Sequence, residues 1–374
     1  MRPWRPDEPY NDLPEPPDTT QLETRAVLKA TVLANTALGQ LDQAARSIPN
    51  PSVLINTIPI LEAQASSEIE NVVTTTDALF RHLDNDEASD DPATRETLRY
   101  RTALRTGFAA TIERGLTANT ASAVCATIKG RTMDIRAVPG TRIANPSTGH
   151  ITYSPPEGRT VIADKLSAWE RFVHADDDMD PIVKMAVAHY QFEAIHPFAD
   201  GNGRTGRILN ILLLVEAGLL HQPLLYLSRY IIETKNDYYR LLHEVTEHGA
   251  WEQWILYMLD GVRQTSISTV NKIAAIRALQ TDVAHRARSA FKGGSDAELL
   301  SVLFEQPCCR IGLVMERCGV SRPTATSWLS SLAAADIVTD IKVGRDRLFV
   351  NREFVDLLTR HESVRRITAQ PSLF

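Results

Sequence analysis

The 374-residue sequence has only four cysteines, at positions 125, 308, 309 and 318. So few thiols in a long chain do not form the disulfide framework of small secreted proteins. The adjacent pair Cys308 and Cys309 lacks the two-residue gap typical of a zinc site, and no histidine completes such a site. We therefore predict structural thiols and expect a cytoplasmic protein.

Long apolar runs and an excess of positive charge are also missing. No stretch approaches the ~20 apolar residues that span a membrane. The first residues, Met1-Arg2-Pro3-Trp4, lack the apolar core of a signal peptide. The formal net charge of -6 argues against broad nonspecific binding to nucleic acid, although it leaves room for a local basic patch. We expect no membrane attachment.

The remaining composition is ordinary, with 43% hydrophobic and 23% charged residues. These values are typical of a soluble globular protein. At about 150 residues per domain, the length predicts two or three domains. Most segments have helical spacing of apolar residues, so the sequence favours a mainly α-helical fold.

One central stretch combines complementary chemistry: His196-Pro197-Phe198-Ala199-Asp200-Gly201-Asn202-Gly203-Arg204-Thr205-Gly206-Arg207. It joins two apolar, helix-patterned runs at 181–194 and 208–220. A Gly-rich loop that opens a helix directs free N–H groups to one spot, at the positive end of the helix dipole. Gly201 and Gly203 let a ligand approach the main chain closely. The stretch therefore predicts an anion site.

The side chains of the stretch indicate that the anion is a nucleoside triphosphate. Arg204 and Arg207 share a helix face and can hold phosphate oxygens. Asn202 adds an amide donor, and Asp200 is the kind of ligand that Mg²⁺ shares with substrate phosphates. His196 can accept a proton near neutral pH. A simple turn with a core histidine explains any one of these residues, but not the whole run.

The run resembles the signature of the Fic family, His-x-Phe-x-Asp/Glu-Gly-Asn-Gly-Arg-x-x-Arg, with every fixed position present. The resemblance covers most of the chain and is strongest to bacterial Fic proteins with an N-terminal regulatory helix and a C-terminal winged-helix domain. It implies transfer of AMP from ATP, with Mg²⁺, to a Tyr, Thr or Ser hydroxyl of a target protein. His196 would be the catalytic base and Asp200 the metal ligand. The implied nucleotide contacts are Asp200, Gly201, Asn202, Gly203, Arg204, Thr205, Gly206 and Arg207.

An upstream segment, Ser66-Ser67-Glu68-Ile69-Glu70-Asn71, resembles the inhibitory motif of the family, Ser/Thr-x-x-x-Glu-Gly/Asn. The resemblance implies that Glu70 pairs with Arg207, which then cannot hold the γ-phosphate. A carboxylate can compete with phosphate for one guanidinium. The alternative is that Glu68 and Glu70 are solvated charges and that Asn71 only caps the helix. Inhibition of this kind requires no separate inhibitor protein.

Two further segments resemble parts of Fic proteins beside the active site. The alternation His150-Ile151-Thr152-Tyr153 predicts a β-hairpin. In the family such a flap adds a strand to the target segment, which makes Ile151, Thr152 and Tyr153 candidate contacts. An ordinary surface hairpin is the alternative. Further on, the resemblance suggests Tyr238 as a wall for the adenine or ribose and Asn236 as a polar contact.

We predict four regions. Residues 1–95 form a helical region that carries the inhibitory helix at about 55–71, and residues 96–265 form the Fic core with the flap at about 135–158. Residues 266–292 form a connecting helix, and residues 293–374 form a winged helix-turn-helix. In the last region Arg322, Thr324, Thr326 and Ser327 could meet a DNA groove, with Arg345 and Arg347 on phosphates. The sparse basic charge favours a protein-interaction or dimer-positioning module instead.

Several alternatives stay open from the sequence alone. The same residues fit transfer of AMP, removal of AMP from a modified target, or both. A nucleotide-sensing regulator that binds DNA is an alternative of a different class. The resemblance implies a homodimer as well, and it leaves the target protein unidentified.

Overall fold

The computed structural model describes residues 4–48, 50–82, 89–144, 148–290, 296–343 and 346–360. This part of the chain is mainly helical, as predicted, and none of its helices is long and apolar enough to cross a membrane. The helices are α1 (Thr19–Leu22), α2 (Arg25–Arg46), α3 (Ser52–Ile69), α4 (Thr76–Arg81), α5 (Pro92–Arg114), α6 (Ala118–Lys129), α7 (Arg159–Val173), α8 (Pro181–Ile195), α9 (Asn202–Glu216), α10 (Leu227–Glu233), α11 (Lys235–His248), α12 (Trp251–Ala290), α13 (Asp296–Glu305), α14 (Ile311–Cys318), α15 (Arg322–Ala334) and α16 (Arg352–Thr359). The strands are β1 (Ile143–Ala144), β2 (Ile151–Tyr153), β3 (Cys308–Arg310), β4 (Thr339–Val343) and β5 (Asp346–Val350).

The core is built around α8 and α9, which pack against each other on either side of the signature loop. Nearly every residue of both helices is buried. A helix that is apolar on all sides requires neighbours on all sides, and α3, α5, α6, α7 and α12 supply them. The second helix begins at Asn202 rather than at Ile208, so it already includes half of the signature. Gly201 is the N-cap of α9, and its φ of 85° lets the helix begin directly after the loop.

The inhibitory segment lies on α3, which is buried along most of its length. Its end is a left-handed cap: Asn71 has φ 61°, its N–H donates to Glu68 O, and the N–H of Val72 donates to Ser67 O, both at 3.0 Å. Only glycine, and less readily asparagine, takes this conformation at low cost. The capping role proposed as an alternative for Asn71 is therefore present.

The other end of α3 meets the C-terminal region. The side-chain amide of Asn50 donates to Ser301 Oγ on α13 at 2.7 Å. Helix α3 thus has one end at the signature loop and the other against α13.

The predicted hairpin is present but short. β1 and β2 pair antiparallel, with Ile143 opposite Tyr153. The N-terminal arm, which is the segment before α1, packs on this hairpin. The N–H of Tyr10 donates to Ser154 O at 3.0 Å, and Ser154 Oγ donates to Pro6 O at 2.7 Å.

Helix α12 runs without interruption through 40 residues across position 265, and the predicted division there into a core and a connecting helix stays a prediction. At 1.5 Å per residue the helix is about 60 Å long. In the structure, Thr265 and Thr269 bond to carbonyl oxygens one turn back, which keeps their hydroxyls satisfied inside a continuous helix.

The C-terminal region combines α13 to α16 with an antiparallel sheet in the order β3-β5-β4. Cys308 and Cys309 lie buried in β3, which fits structural thiols. The winged-helix interpretation stays a prediction, and Arg345 lies outside the described residues.

A buried carboxylate joins α3 to the core. Glu62 is 1% exposed and accepts hydrogen bonds from Tyr100 Oη at 3.0 Å, from the N–H of Ser228 at 2.9 Å, and from the Ser228 hydroxyl. Burial raises the pKa of Glu62 above its ordinary value, although these hydrogen bonds oppose the shift. Helices α3, α5 and α10 therefore meet at one polar point.

We expect Tyr100→Phe to lower the free energy of unfolding by about 1–3 kcal/mol, because it removes one donor from a buried carboxylate. Urea unfolding followed by circular dichroism measures the change. Tyr239→Phe is the matched control, since that ring is 45% exposed, and it should change the value by less than ~0.5 kcal/mol. Equal effects of the two variants would contradict the structural role given to Glu62.

Candidate active site

His196 ends α8 in a left-handed conformation, with φ 50°. Arg136 holds this turn, since its Nε donates to His196 O at 2.7 Å and its N–H donates to Pro197 O at 2.9 Å. Arg136 also donates to Pro156 O, and so it ties the signature loop to the segment after the flap. Sequence reasoning missed Arg136, because nothing in its neighbours signals a contact 60 residues away.

Asn202 closes the signature loop. Its side-chain oxygen accepts from the N–H of Phe198 at 2.8 Å, and its side-chain nitrogen donates to Phe198 O at 2.7 Å. The side chain is 2% exposed. Asn202 therefore braces the loop with both amide groups, a role different from the predicted free donor, and its direct contact with a nucleotide stays a prediction.

The two signature arginines are buried at the start of α9, and each is paired. Arg204 is 3% exposed, and its Nη1 donates to Glu96 Oε1 on α5 at 2.8 Å. Arg207 is 2% exposed, and its Nε donates to Ser66 Oγ at 2.8 Å while its Nη2 donates to Ser66 O at 2.9 Å. Buried guanidinium groups of this kind need such partners.

Glu70 completes the surroundings of Arg207. Arg207 Nη2 donates to Glu70 Oε1 at 2.8 Å, and the carboxylate rests against Gly203 so closely that a side chain at Gly203 would clash with it. Glu70 thus lies at the N-terminus of α9, where the helix dipole favours negative charge. The structure brings together Ser66, Glu70 and Arg207, the three residues that the two motifs linked.

Burial and the charges of the site shift the pKa values of Glu70, His196 and Glu193. Burial alone would raise the pKa of Glu70, but Arg207 and then Arg204 lower it below the ordinary value. Burial, with Arg136, lowers the pKa of His196 to about 4. Burial raises the pKa of Glu193 to about 7, with Arg207 opposing and Glu70 adding to the shift. Glu193 stands one turn before His196, where helical spacing alone did not mark it as part of the site.

Asp200 is the acidic residue of the signature loop. Its Oδ2 lies 2.6 Å from Lys129 Nζ, and half of its side chain is exposed. Burial would raise the pKa of Asp200, but the Lys129 hydrogen bond holds it below the ordinary value. The described part of the chain has no cluster of three or more His, Cys, Asp or Glu residues that could bind a metal. A single accessible carboxylate fits Mg²⁺ that is bound mainly by nucleotide phosphates.

The two adjacent tyrosines of α11 differ in exposure. Tyr238 is 1% exposed and shares a hydrogen bond of 2.8 Å with His189 Nε2 in the core. Tyr239 is 45% exposed, and Asn236 is exposed as well. Tyr239 is therefore the more accessible ring of the pair, and nucleotide contacts by Tyr238 and Asn236 stay predictions.

The flap residues are half-buried, and two of the three bind within the fold. Tyr153 Oη donates to Ala194 O at 2.8 Å, and Thr152 Oγ1 donates to Ile143 O at 3.0 Å. The Trp4 ring of the N-terminal arm stacks on Tyr153. A docking role for Ile151, Thr152 and Tyr153 stays a prediction.

Sequence comparisons find known domains in the same order as the structural regions. The Fic/DOC family N-terminal model matches residues 28–109, the Fic/DOC family model matches residues 112–214, and the model of the C-terminal domain of SoFic-like protein adenylyltransferases matches residues 279–354. Together these three matches cover most of the chain.

Curated relatives match over part of this chain. Protein adenylyltransferase fic-1 of Caenorhabditis briggsae is 45% identical over 80 residues, which are 21% of this chain and 14% of that protein. Protein adenylyltransferase Fic of Culex quinquefasciatus is 32% identical over 119 residues, which are 31% of this chain and 22% of that protein. The chain thus spans less than a quarter of the length of these relatives.

Solved structures with the same fold include a Fic family protein from Desulfovibrio desulfuricans G20. It has a TM-score of 0.57 at 19% identity, over 90% of this chain and 98% of that one. A Fic-1 fragment from C. elegans has a TM-score of 0.50 at 18% identity, over 70% of this chain and 76% of that one. At these identities the likeness concerns the fold. With the three domain matches and the complete signature, the chain belongs to the Fic/DOC family.

Proposed function

We propose that this protein is a protein adenylyltransferase that moves AMP from ATP to a hydroxyl group of a target protein and is inhibited by its own Glu70. The observation that carries the proposal is the contact of Glu70 with Arg207 at the N-terminus of α9, beside His196. The printed names of the curated relatives and of the C-terminal domain model support the same activity.

The proposed reaction uses the neutral imidazole of His196 as the base. His196 takes the proton of the target hydroxyl while the oxygen attacks the α-phosphorus of ATP. A new P–O bond forms, the bond to the β-phosphate breaks, and pyrophosphate leaves. Arg204, Arg207 and the N-terminus of α9 stabilise the charge that develops on the phosphates. Asp200 would hold Mg²⁺, which offsets phosphate charge when it is bound.

Inhibition follows from competition for Arg207. The guanidinium is buried, so it can serve either Glu70 or a γ-phosphate that enters between α3 and α9. With Glu70 in place, ATP lacks one of its two arginine contacts and lies in an unproductive position. Ser66 keeps its own contacts with Arg207 when only the Glu70 side chain is removed. A Glu70 variant should therefore retain an ordered arginine.

One predicted phosphate contact of the alternative, a DNA-binding regulator, is already paired within the fold. Arg347, predicted to contact phosphates, is paired with Asp340 on the neighbouring strand. The predicted homodimer, the cytoplasmic location and the target protein stay predictions. Removal of AMP from a modified target, with Glu70 positioning the attacking water molecule, would use the same residues. The labelling experiment below distinguishes it from AMP transfer.

We expect Glu70→Gly to raise incorporation of label from α-labelled ATP into protein about tenfold or more, a difference of roughly 1.4 kcal/mol in competition for Arg207. The purified protein is incubated with Mg²⁺ and with ATP labelled at either the α- or the γ-phosphate. His196→Ala should abolish the label while ATP binding, measured by calorimetry, persists.

Glu68→Gly is the matched control, because it places glycine in the same last turn of α3 at an exposed position. It should leave labelling at the low wild-type level. Label from the γ-position would contradict AMP transfer and indicate phosphoryl transfer. Full activity of His196→Ala would refute the catalytic role of His196. Release of AMP from a labelled target by wild type would favour removal.

We expect the His196 imidazole to stay neutral between pH 8 and pH 5. An ordinary histidine gains a proton as the pH falls through about 6.5. Burial lowers the pKa of His196 to about 4, so its proton is gained only at much lower pH. Nitrogen-15 NMR of labelled histidines, with His196→Ala to assign the signal, follows the titration. A midpoint near 6.5 would show that the site is more open to water than described.

A further inference from the structure

Lys129 is a charged residue at the site that the proposed reaction does not use. It is the last residue of α6, which begins with a capping box of Thr117 and Thr120 and ends at the left-handed Gly130. One turn earlier, Cys125 Sγ donates to Asp200 O at 3.3 Å. The end of α6 therefore faces the acidic part of the signature loop.

The Lys129 side chain lies across this loop. A Cβ built on Gly201 would be 3.4 Å from Lys129 Cδ, so the apolar stem rests against that glycine. The ammonium group then reaches two carboxylates at once: Nζ lies 2.6 Å from Glu96 Oε1 and 2.6 Å from Asp200 Oδ2. The Lys129 side chain is 15% exposed, whereas that of Asp200 is 53% exposed.

The charges around Lys129 balance without a metal. Glu96 Oε1 also accepts from Arg204 Nη1 at 2.8 Å, and Arg204 Nη2 lies 3.9 Å from Asp200 Oδ1. Two carboxylates thus face two cations. Asp200 Oδ2, one of the two oxygens that this carboxylate could offer to a metal, is in contact with the ammonium of Lys129.

We propose that Lys129 is a positioning residue that holds Asp200 in the metal-free protein and sets how strongly nucleotide binding depends on Mg²⁺. This inference rests on the proposed ATP-dependent function. Asp200 would hold Mg²⁺ bound with ATP in place of Lys129, and Lys129 would keep its contact with Glu96. The ammonium group remains beside the phosphates and supports some nucleotide binding without metal.

Lys129→Met should strengthen ATP binding in Mg²⁺ and weaken ATP binding without metal. It frees Asp200 for the metal, because no ammonium group competes for the carboxylate. It also removes a cation that supports metal-free nucleotide. The ratio of the ATP dissociation constant in EDTA to that in Mg²⁺ should therefore rise about fivefold, within the range of a partly exposed ion pair.

The test is isothermal titration calorimetry of the full chain with ATP, once in EDTA and once in Mg²⁺. Every protein also carries Glu70→Gly, so that Glu70 does not compete with ATP for Arg207. Lys129→Arg keeps the charge and should preserve the ratio. Lys129→Gln is a second neutral variant and should behave as Lys129→Met does. Asp200→Asn should bring the ratio close to one. Lys165→Met is the matched control, because that half-buried lysine donates to Leu13 O away from the site.

An unchanged ratio in both neutral variants, with ATP binding and AMP transfer intact, would overturn the role of Lys129 alone. Loss of the Mg²⁺ effect in Lys129→Met would overturn it as well, because Lys129 would then support the metal rather than compete with it. If ATP binds to none of the proteins in either condition, the proposed function fails together with this inference.

Discussion

The burial of Arg207 is the constraint on which the rest of the site depends. A guanidinium group that is 2% exposed has to be paired, because leaving a buried charge unpaired costs several kcal/mol. Its hydrogen-bond partners in the described part of the chain are Ser66 on α3 and Glu70, which directly follows α3. The same helix end thus supplies every one of these partners of Arg207, and in the proposed function it would also block the anion site.

The position of α3 is fixed at three places along its length. Asn50 precedes its start and bonds to α13, Glu62 in its middle binds α5 and α10, and the left-handed Asn71 ends it directly after Glu70. The carboxylate and the cap occupy neighbouring residues, so the turn that ends the helix also orients the side chain. This explains physically why Asn or Gly follows the glutamate in such a motif.

The sequence predicted the groups that lie close together along the chain. The signature supplied His196, Asp200, Arg204 and Arg207 from one loop, and the inhibitory motif supplied Ser66 and Glu70. The residues that support them come from distant segments. Arg136, Glu96 and Lys129 reach the loop from other elements, and a single sequence carries no signal of such contacts. Tyr238 and Tyr239 could not be told apart, because only packing decides which of two adjacent rings faces inward.

The attachment of Glu70 to the site through α3 makes it an intramolecular ligand. A tethered group competes at an effective concentration, which is on the order of millimolar even for a short flexible linker. Here the tether is the docked end of a helix, so Glu70 loses little conformational entropy when it contacts Arg207. In the proposed function, ATP would compete with this effective concentration, whatever the concentration of the protein itself. The resting level of activity would then be a property of each single chain, set by how firmly the end of α3 stays docked.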